Sequence, residues 1–407
     1  VAAPPARPAA PALPDAPART AGTARYHVRL VDSAGDLPAA DWATGREIAG
    51  HVFMDSRFLG AVEHAFRGQA RFFHALVYDE ATRPQAWASL CSFPVDVTTL
   101  AGPGVQSVVR GIRFALPRLG LLRTFFVGLP VSLGQSHLAI APGADAAMVI
   151  DALGEAVEQA AAREGAWLVV WKEFDESAAA RLDPPLRARG YRRAESPPMH
   201  ELDGRFADFA AYCAALTSHY RSDVRRSERK FRASGLRVVH LRDPEEIRRV
   251  YTADVHRLYE AVVARATVKL ETLPVEFFRE LTRRLPGLVS LTAISDGERI
   301  VAFNWGMMDG RVHHFLFCGM DYSVARDADL YFNLMYHQLD DALRRGPERI
   351  EVGQTADMFK ARLGCRAASR YFYVKGGRPA ARAALARAFR LVFPDRPPVP
   401  SYAVFRR

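Results

Sequence analysis

The chain has 407 residues, of which 49% are apolar and 25% charged, and a formal net charge of +10. That length holds two domains of about 150–200 residues each, and that balance excludes a disordered or fibrous polypeptide. The positive excess points to an anionic partner: a CoA phosphate, an acidic carrier protein, tRNA or an anionic membrane surface. An Arg-rich coding bias explains the same excess, and DNA is not among the expected partners. Four cysteines, Cys91, Cys213, Cys318 and Cys365, are scattered without C-x-x-C spacing. They make neither a zinc signature nor a disulfide framework, so no metal is expected and a reducing cytoplasm is the expected compartment.

Residues 1–24 are mainly Ala and Pro, with no apolar core of a signal peptide, and read as a disordered tail. "FMDSRFLGAVEHAFRG" (Phe53–Gly68) has the period of an amphipathic helix. "RFFHALVYDE" and "PQAWASLCSFPVD" read as two strands of a meander that "TFFVGLPVSLG" resumes. The insertion at 108–133 is apolar, but Arg110, Arg113, Arg118 and Arg123 interrupt it, so it is a poor membrane span. A lid over an acyl chain, a membrane-surface patch, a docking site for an acidic partner and, most plainly, a cover for the first core are its alternative readings. A long helix follows from Ala146 to Glu164, stopped by Gly165. Then come strand "AWLVVWKEF", helix "ESAAARLDPPLRARG" and strand "YRRAESPPMHEL".

The second half repeats this plan. "LVSLTAIS", "RIVAFNWGMMD" and "RVHHFLFCGMD" form a meander. Helix "LYFNLMYHQLDDALRRG" stops at Gly346, and strand "RIEVGQT", helix "ADMFKARLG" and strand "CRAASRYFYVKG" close the unit. Matched elements about 180 residues apart indicate a duplicated α+β fold. Each copy is expected to be a mixed, mostly antiparallel central sheet flanked by helices. The expected organisation is a tail at 1–24, domains at 25–203 and 204–390, and a C-terminal tail at 391–407, as a monomer or a dimer.

This order of elements resembles the GNAT acyltransferase superfamily, and the duplication resembles its tandem members, among them Fem-type aminoacyltransferases and BioF2-like acyltransferases. The resemblance covers roughly Tyr26 to Gly377 and is carried best by "FADFAAYCAALTSHYRSDVRRSERKF" and "GQTADMFKARLGC". It implies transfer of an acyl or aminoacyl group to a small-molecule or peptide amine, with the second half as the reacting centre. Ordinary members wrap the CoA pyrophosphate with a Q/R-x-x-G-x-G/A loop. Here that position reads "DYSVARDADLYF", without glycine. No tightly bound cofactor is expected. Acyl-CoA, an acyl-carrier-protein thioester and an aminoacyl-tRNA ester are the donors to weigh. A Fem-type ligase of peptide or peptidoglycan synthesis and a non-catalytic binding protein of the same fold are the alternatives.

Acyl transfer to an amine needs a neutral amine, an oriented carbonyl and a stabilised oxyanion. The resemblance places Lys360, within the Phe359-Lys360 pair, beside the reacting ester. A solvated helix lysine is the plainer reading. Gln354 and Thr355 end a strand and can donate to the carbonyl oxygen, or Thr355 and Asp357 can cap the helix. Glu351 reads as a base or, better, as a salt-bridged residue. His313 and His314 face opposite sides of their strand, so one can reach the reaction as a general base. Asn304 and Trp305 divide in the same way as substrate contacts. Arg326, Tyr331 and Asn333, in and after the glycine-free loop, are candidate donor contacts, with Asp327 or Asp329 capping the helix. Arg221, Arg225 and Arg229 repeat at helical spacing and form a candidate face for an anionic acceptor.

Overall fold

The computed structural model describes residues 26–96, 111, 120–131, 133–266 and 271–406. The tail at 1–24 and, within the insertion at 108–133, residues 108–110, 112–119 and 132 lie outside the described residues. The first repeat runs β1 (Tyr26–Val31), α1 (Ala39–Ala49), α2 (Ser56–Ala65), β2 (Arg71–Asp79), β3 (Pro84–Asp96), β4 (Leu121–Val127), β5 (Leu138–Ile140), α3 (Ala146–Arg163), β6 (Leu168–Phe174), α4 (Glu176–Ala188) and β7 (Arg192–Asp203). The second opens with α5 (Phe209–Ala215), α6 (Ser218–Ala233), β8 (Arg237–Leu241), α7 (Pro244–Val250), α8 (Ala253–Arg265) and α9 (Val275–Arg284). It closes with β9 (Val289–Ser295), β10 (Ile300–Asp309), β11 (Val312–Met320), α10 (Leu330–Leu343), β12 (Arg349–Gly353), α11 (Asp357–Arg362), β13 (Arg366–Gly376) and α12 (Pro379–Val392). The helix expected from Phe53 starts later, at Ser56. Asp55 accepts from the Arg57 amide and sets its N-terminus there.

The strands form one mixed, mostly antiparallel sheet in the order β1-β2-β3-β4-β6-β13-β7-β12-β11-β10-β9-β8, with β5 on β3. If the repeats are matched element by element, the order is palindromic. Each repeat, however, lends its last strand to the other. β13 pairs with β6 through Tyr371↔Phe174 to Gly376↔Leu168, and β7 pairs with β12 through Arg349↔Asp203 to Gly353↔His200. The sequence reading left each final strand beside its own repeat. Ladder pairing is set by distant registers that no local pattern records.

β7 is central, yet it contains Pro197 and Pro198. The β13–β7 register shifts opposite them, between Ala368 and Arg370. Proline cannot donate to a ladder, so it survives inside a sheet only at such a bulge. The break leaves the Pro197 carbonyl to accept from Gln354 Nε2 at 2.9 Å.

One core spans both repeats on one face of the sheet. Phe53, Phe58 and Trp42 of the first repeat lie in a single cluster with Phe277, Phe278, Phe303 and Trp305 of the second. Phe58 meets Phe277 edge-on at 6.3 Å. Asp309, at the end of β10, pairs with Arg46 at 3.2 Å and accepts from the Val52 amide. Residues beyond 391 also pack: Val404 is buried, and its carbonyl accepts from the Thr217 amide at 2.9 Å.

Shared strands and a shared core predict one cooperative unfolding transition for the whole chain, read by calorimetry and far-UV circular dichroism together. A fragment starting at residue 204 lacks β7 and is expected to give a collapsed amide proton spectrum. Two separable transitions, or a well-dispersed spectrum from that fragment, would contradict this.

Candidate active site

Parallel β11 and β12 pair only from Val312↔Arg349 to His314↔Glu351. Beyond that they part, and Phe315–Cys318 on one side and Val352–Thr355 on the other line a cavity of about 180 Å³. The first repeat supplies part of the wall through Phe53, Leu133 and Met199, and α8 supplies Tyr259 and Val262. The site therefore lies in a gap in one sheet, closed by both repeats.

β12 ends at Gly353, whose φ of +89° lies in the left-handed region that favours glycine. A Cβ there would stand 3.4 Å from Lys360 Nζ, so the turn folds tightly onto that amine. α11 follows with Ala356, φ +63°, in its N-cap position and no side-chain cap. Thr355 and Asp357 do not cap it. Instead Thr355 is exposed on the cavity wall, and Asp357 Oδ1 lies 3.7 Å from His200 Nε2.

Lys360 lines the cavity and is only 5% exposed. Burial lowers its ammonium to about 8, opposed by the Cys365 and Cys318 thiols and the Asp357 carboxylate. His200, on β7, is pushed down to about 4, first by burial and then by the Lys360 charge. Its Nδ1 lies 3.1 Å from the Gly353 carbonyl, so the neutral ring donates there and braces the turn.

His314 lines the cavity, and its Nδ1 is 2.9 Å from Glu351 Oε2. Burial pushes the Glu351 carboxyl up. The His314 hydrogen bond and charge, the Gln135 hydrogen bond and Arg349 outweigh it and hold the carboxyl at about 2. Glu351 is thus an ionised, buried member of the site as well as a salt-bridged residue. Gln354 lines the cavity too. One N–H of its Nε2 donates to the Pro197 carbonyl, and its Oε1 is buried without a partner among the described residues. Asn304 and Tyr331 complete the polar wall. Burial pushes the Tyr331 phenol up, so it stays a neutral O–H. Phe359 sits 4.4 Å from the Tyr331 ring and 4.6 Å from Phe332, bracing the wall without lining it.

Other expected site residues lie elsewhere. His313 points to the opposite face, where its Nε2 meets Gln338 of α10 at 3.0 Å, and burial keeps it well below the usual imidazole range. Trp305 is fully buried against Tyr251 and Phe278. Asn333 donates to the Ala328 and Ser227 carbonyls at 2.9 and 3.1 Å, holding the start of α10. Arg326 is exposed. Asp329 occupies the N-cap position of α10 in the left-handed region without capping it, and pairs with Lys230 at 2.9 Å.

The Arg face of α6 is not in the cavity. Val224, Ser227 and Phe231 form the buried stripe, which leaves Arg225 and Arg229 exposed. Arg221 reaches the Ala214 and Leu216 carbonyls. The flank of α6 that meets α10 and α11 carries Arg226 and Lys230, and these line a separate cavity of about 200 Å³ with Arg362, Asp223 and Asp329. The sequence reading did not single out Gln135, His200 and Arg349, because each acts through a partner more than 140 residues away or through its own strand neighbour.

The family model of the acetyltransferase (GNAT) domain matches residues 218–361. No curated protein matches the chain. Among solved structures, the chain is similar to a tandem GNAT protein from the clavulanic acid biosynthesis pathway, at 12% identity and a TM-score of 0.50, covering 87% of this chain and 99% of that one. It is also similar to L-PGS from Bacillus licheniformis (13% identity, TM-score 0.49, covering 88% and 98%) and to FemX (12%, 0.47, covering 77% and 89%). The match to the acetyltransferase (GNAT) domain lies on the repeat whose strands part around Lys360, and the fold shared with the tandem GNAT protein accounts for the duplication.

Proposed function

We propose that the chain forms an amide by moving an acyl or aminoacyl group from an activated ester to an amine, within the gap between β11 and β12. The observation that carries this reading is Lys360, a buried ammonium in that gap. With its proton held to about 8, roughly nine-tenths of the enzyme carries the charge at pH 7. An ammonium there stabilises the oxyanion that forms when the amine adds to the ester carbonyl, in surroundings where charge is poorly screened. Partial neutralisation by desolvation is a mark of functional sites.

The donor reading rests on the start of α10. Asp327 and Asp329 flank that terminus, where a pyrophosphate would need an uncluttered run of amides. This favours a carrier-protein thioester or an aminoacyl-tRNA ester over acyl-CoA, and the positive charge of the chain suits either acidic partner. No helix among the described residues is long and apolar enough to cross a membrane. The reading is tested by offering acyl-CoAs, acyl-carrier proteins and aminoacyl-tRNAs with a panel of amines and following amide formation by mass spectrometry. Absence of transfer from every donor class would refute it.

Lys360→Met keeps the volume and removes the charge. It is expected to lower the transfer rate by about 10²–10³-fold. The same change raises stability at neutral pH. The folded-state pKa is below the unfolded one, so the unfolded chain holds more protons between about 8 and 10.5. The burial penalty, roughly 3 kcal/mol, is therefore full below pH 8 and fades as pH rises towards 10.5. Denaturant titrations of both proteins at pH 7 and pH 10 check the convergence. Wild-type transfer is expected to fall as pH passes about 8, and an alkaline limb unaltered in the Met variant would remove Lys360 from the step.

A further inference from the structure

The cavity contains more hydrogen-bond acceptors than its own donors satisfy. Among the described residues, His314 Nε2, Asn304 Oδ1 and Gln354 Oε1 are buried without a partner, and all three residues line this cavity. Buried polar atoms rarely stay unpaired, so the set marks a place for a ligand that donates. An amine is such a ligand, since its N–H bonds point to acceptors while its lone pair faces the ester carbon.

His314 differs from the two amides in that it can accept a proton outright. Its Nδ1 faces a carboxylate that only accepts, so Nδ1 carries the ring proton and Nε2 presents a bare lone pair. The Phe53 ring packs edge-on at 4.9 Å and fixes the imidazole plane. The carboxylate is itself fixed: Gln135 Nε2 lies 2.8 and 2.9 Å from the two Glu351 oxygens, and Arg349 Nη2 is 3.1 Å from Oε1. Gln135 comes from the β4–β5 loop of the first repeat, so the dyad is assembled across the two copies. The other titratable groups around it are His51, His313, Lys360 and Glu271, with Tyr259, Tyr331 and Cys318, which burial keeps neutral. Burial holds His51 at about 4 and therefore neutral, and its Nε2 meets the Ser136 carbonyl at 3.1 Å. His313 is neutral on the far face. Lys360 and Glu271 share the cavity wall.

We propose that His314 is the general base of the transfer, and that Glu351 and Gln135 are positioning residues that hold it in the productive tautomer. This assignment rests on the acyl-transfer reading above. The amine nitrogen attacks the ester carbonyl carbon and forms the C–N bond, and the carbonyl pair moves onto oxygen. Nε2 takes one N–H proton. The oxyanion then collapses, the C–S or C–O bond breaks, and the proton on Nε2 passes to the leaving thiolate or alkoxide. One ester and one amine give one amide and one thiol or alcohol, and His314 returns unchanged.

The test combines pH–rate profiles with ¹⁵N NMR of the His314 ring, using the full chain. His314→Gln is expected to lose roughly 10²–10⁴-fold in kcat and to lose the acid limb. Glu351→Gln is expected to move that limb to lower pH, because the imidazolium loses an adjacent negative charge. Gln135→Ala is expected to lower kcat about tenfold with KM little changed, as misorientation does. If wild type transfers an acyl group and His314→Gln keeps both its rate and its acid limb, this assignment falls while the acyl-transfer reading stands. If wild type transfers to no amine, that reading falls and takes this one with it. The NMR arm needs no turnover: a neutral His314 protonated on Nε2 overturns the assignment in any case, and an unprotonated Nε2 that changes in Glu351→Gln supports it.

Discussion

The arrangement depends on the backbone ladder that holds β13 between β6 and β7. Arg370 on β13 is buried, and its Nε donates to the Gly134 carbonyl at 2.6 Å. The Gly134 amide in turn donates to Glu173 Oε1 at 3.1 Å. These two bonds fix the loop that carries Gln135. Any side chain at Gly134 would meet Met199 at 2.3 Å, and its φ is +69°, so the close approach is reserved for glycine. From the second repeat's last strand, contacts therefore run through the first repeat's loop and return to Glu351 and His314 on the second. β7 makes the reciprocal contribution with His200 and Met199.

Around this frame the protein keeps charge where hydrophobic burial alone would remove it. Lys360, Glu351 and Arg370 are all at most 5% exposed. Each unpaired buried charge destabilises a fold by several kcal/mol unless bonds compensate it. Glu351 is compensated by three partners. Lys360 is not, and its lowered proton affinity expresses that difference. Glu173 adds a backbone at φ +69° at the end of β6, the strand matching β12, whose own end turns at Gly353. Both repeats thus bend their parting strand in the same unusual region; in the second the bend folds onto Lys360, while in the first Lys172 Nζ lies 4.0 Å from Glu173 Oε2.

The order of elements was legible because hydrophobic period and turn residues are local signals, and both copies obey them. The position of Lys360 was legible through the Phe359-Lys360 pair after a buried strand. The opposite facing of His313 and His314, and of Asn304 and Trp305, followed from strand alternation. Which member faced the cavity did not follow, because Gln338, Tyr251 and Phe278 claim the other face from separate elements. The Arg spacing on α6 was real, but periodicity says which residues share a face, not what that face meets. Strand exchange and the reach of Gln135 to Glu351 join residues about 200 positions apart, beyond any window of sequence.

The exchange also has a history written in the order of synthesis. β6 is complete at Phe174, yet its partner edge is filled only when Gly376 has been made. At about 5–20 residues per second, the interval is on the order of ten to forty seconds. Throughout it the nascent first repeat presents an apolar strand with unpaired backbone groups, and β7 has no β12 to join. Such an edge invites pairing with a neighbouring chain. The same ladder that unites the two copies in the finished protein makes two growing chains able to swap final strands, so crowded translation should favour interlocked dimers of otherwise native halves.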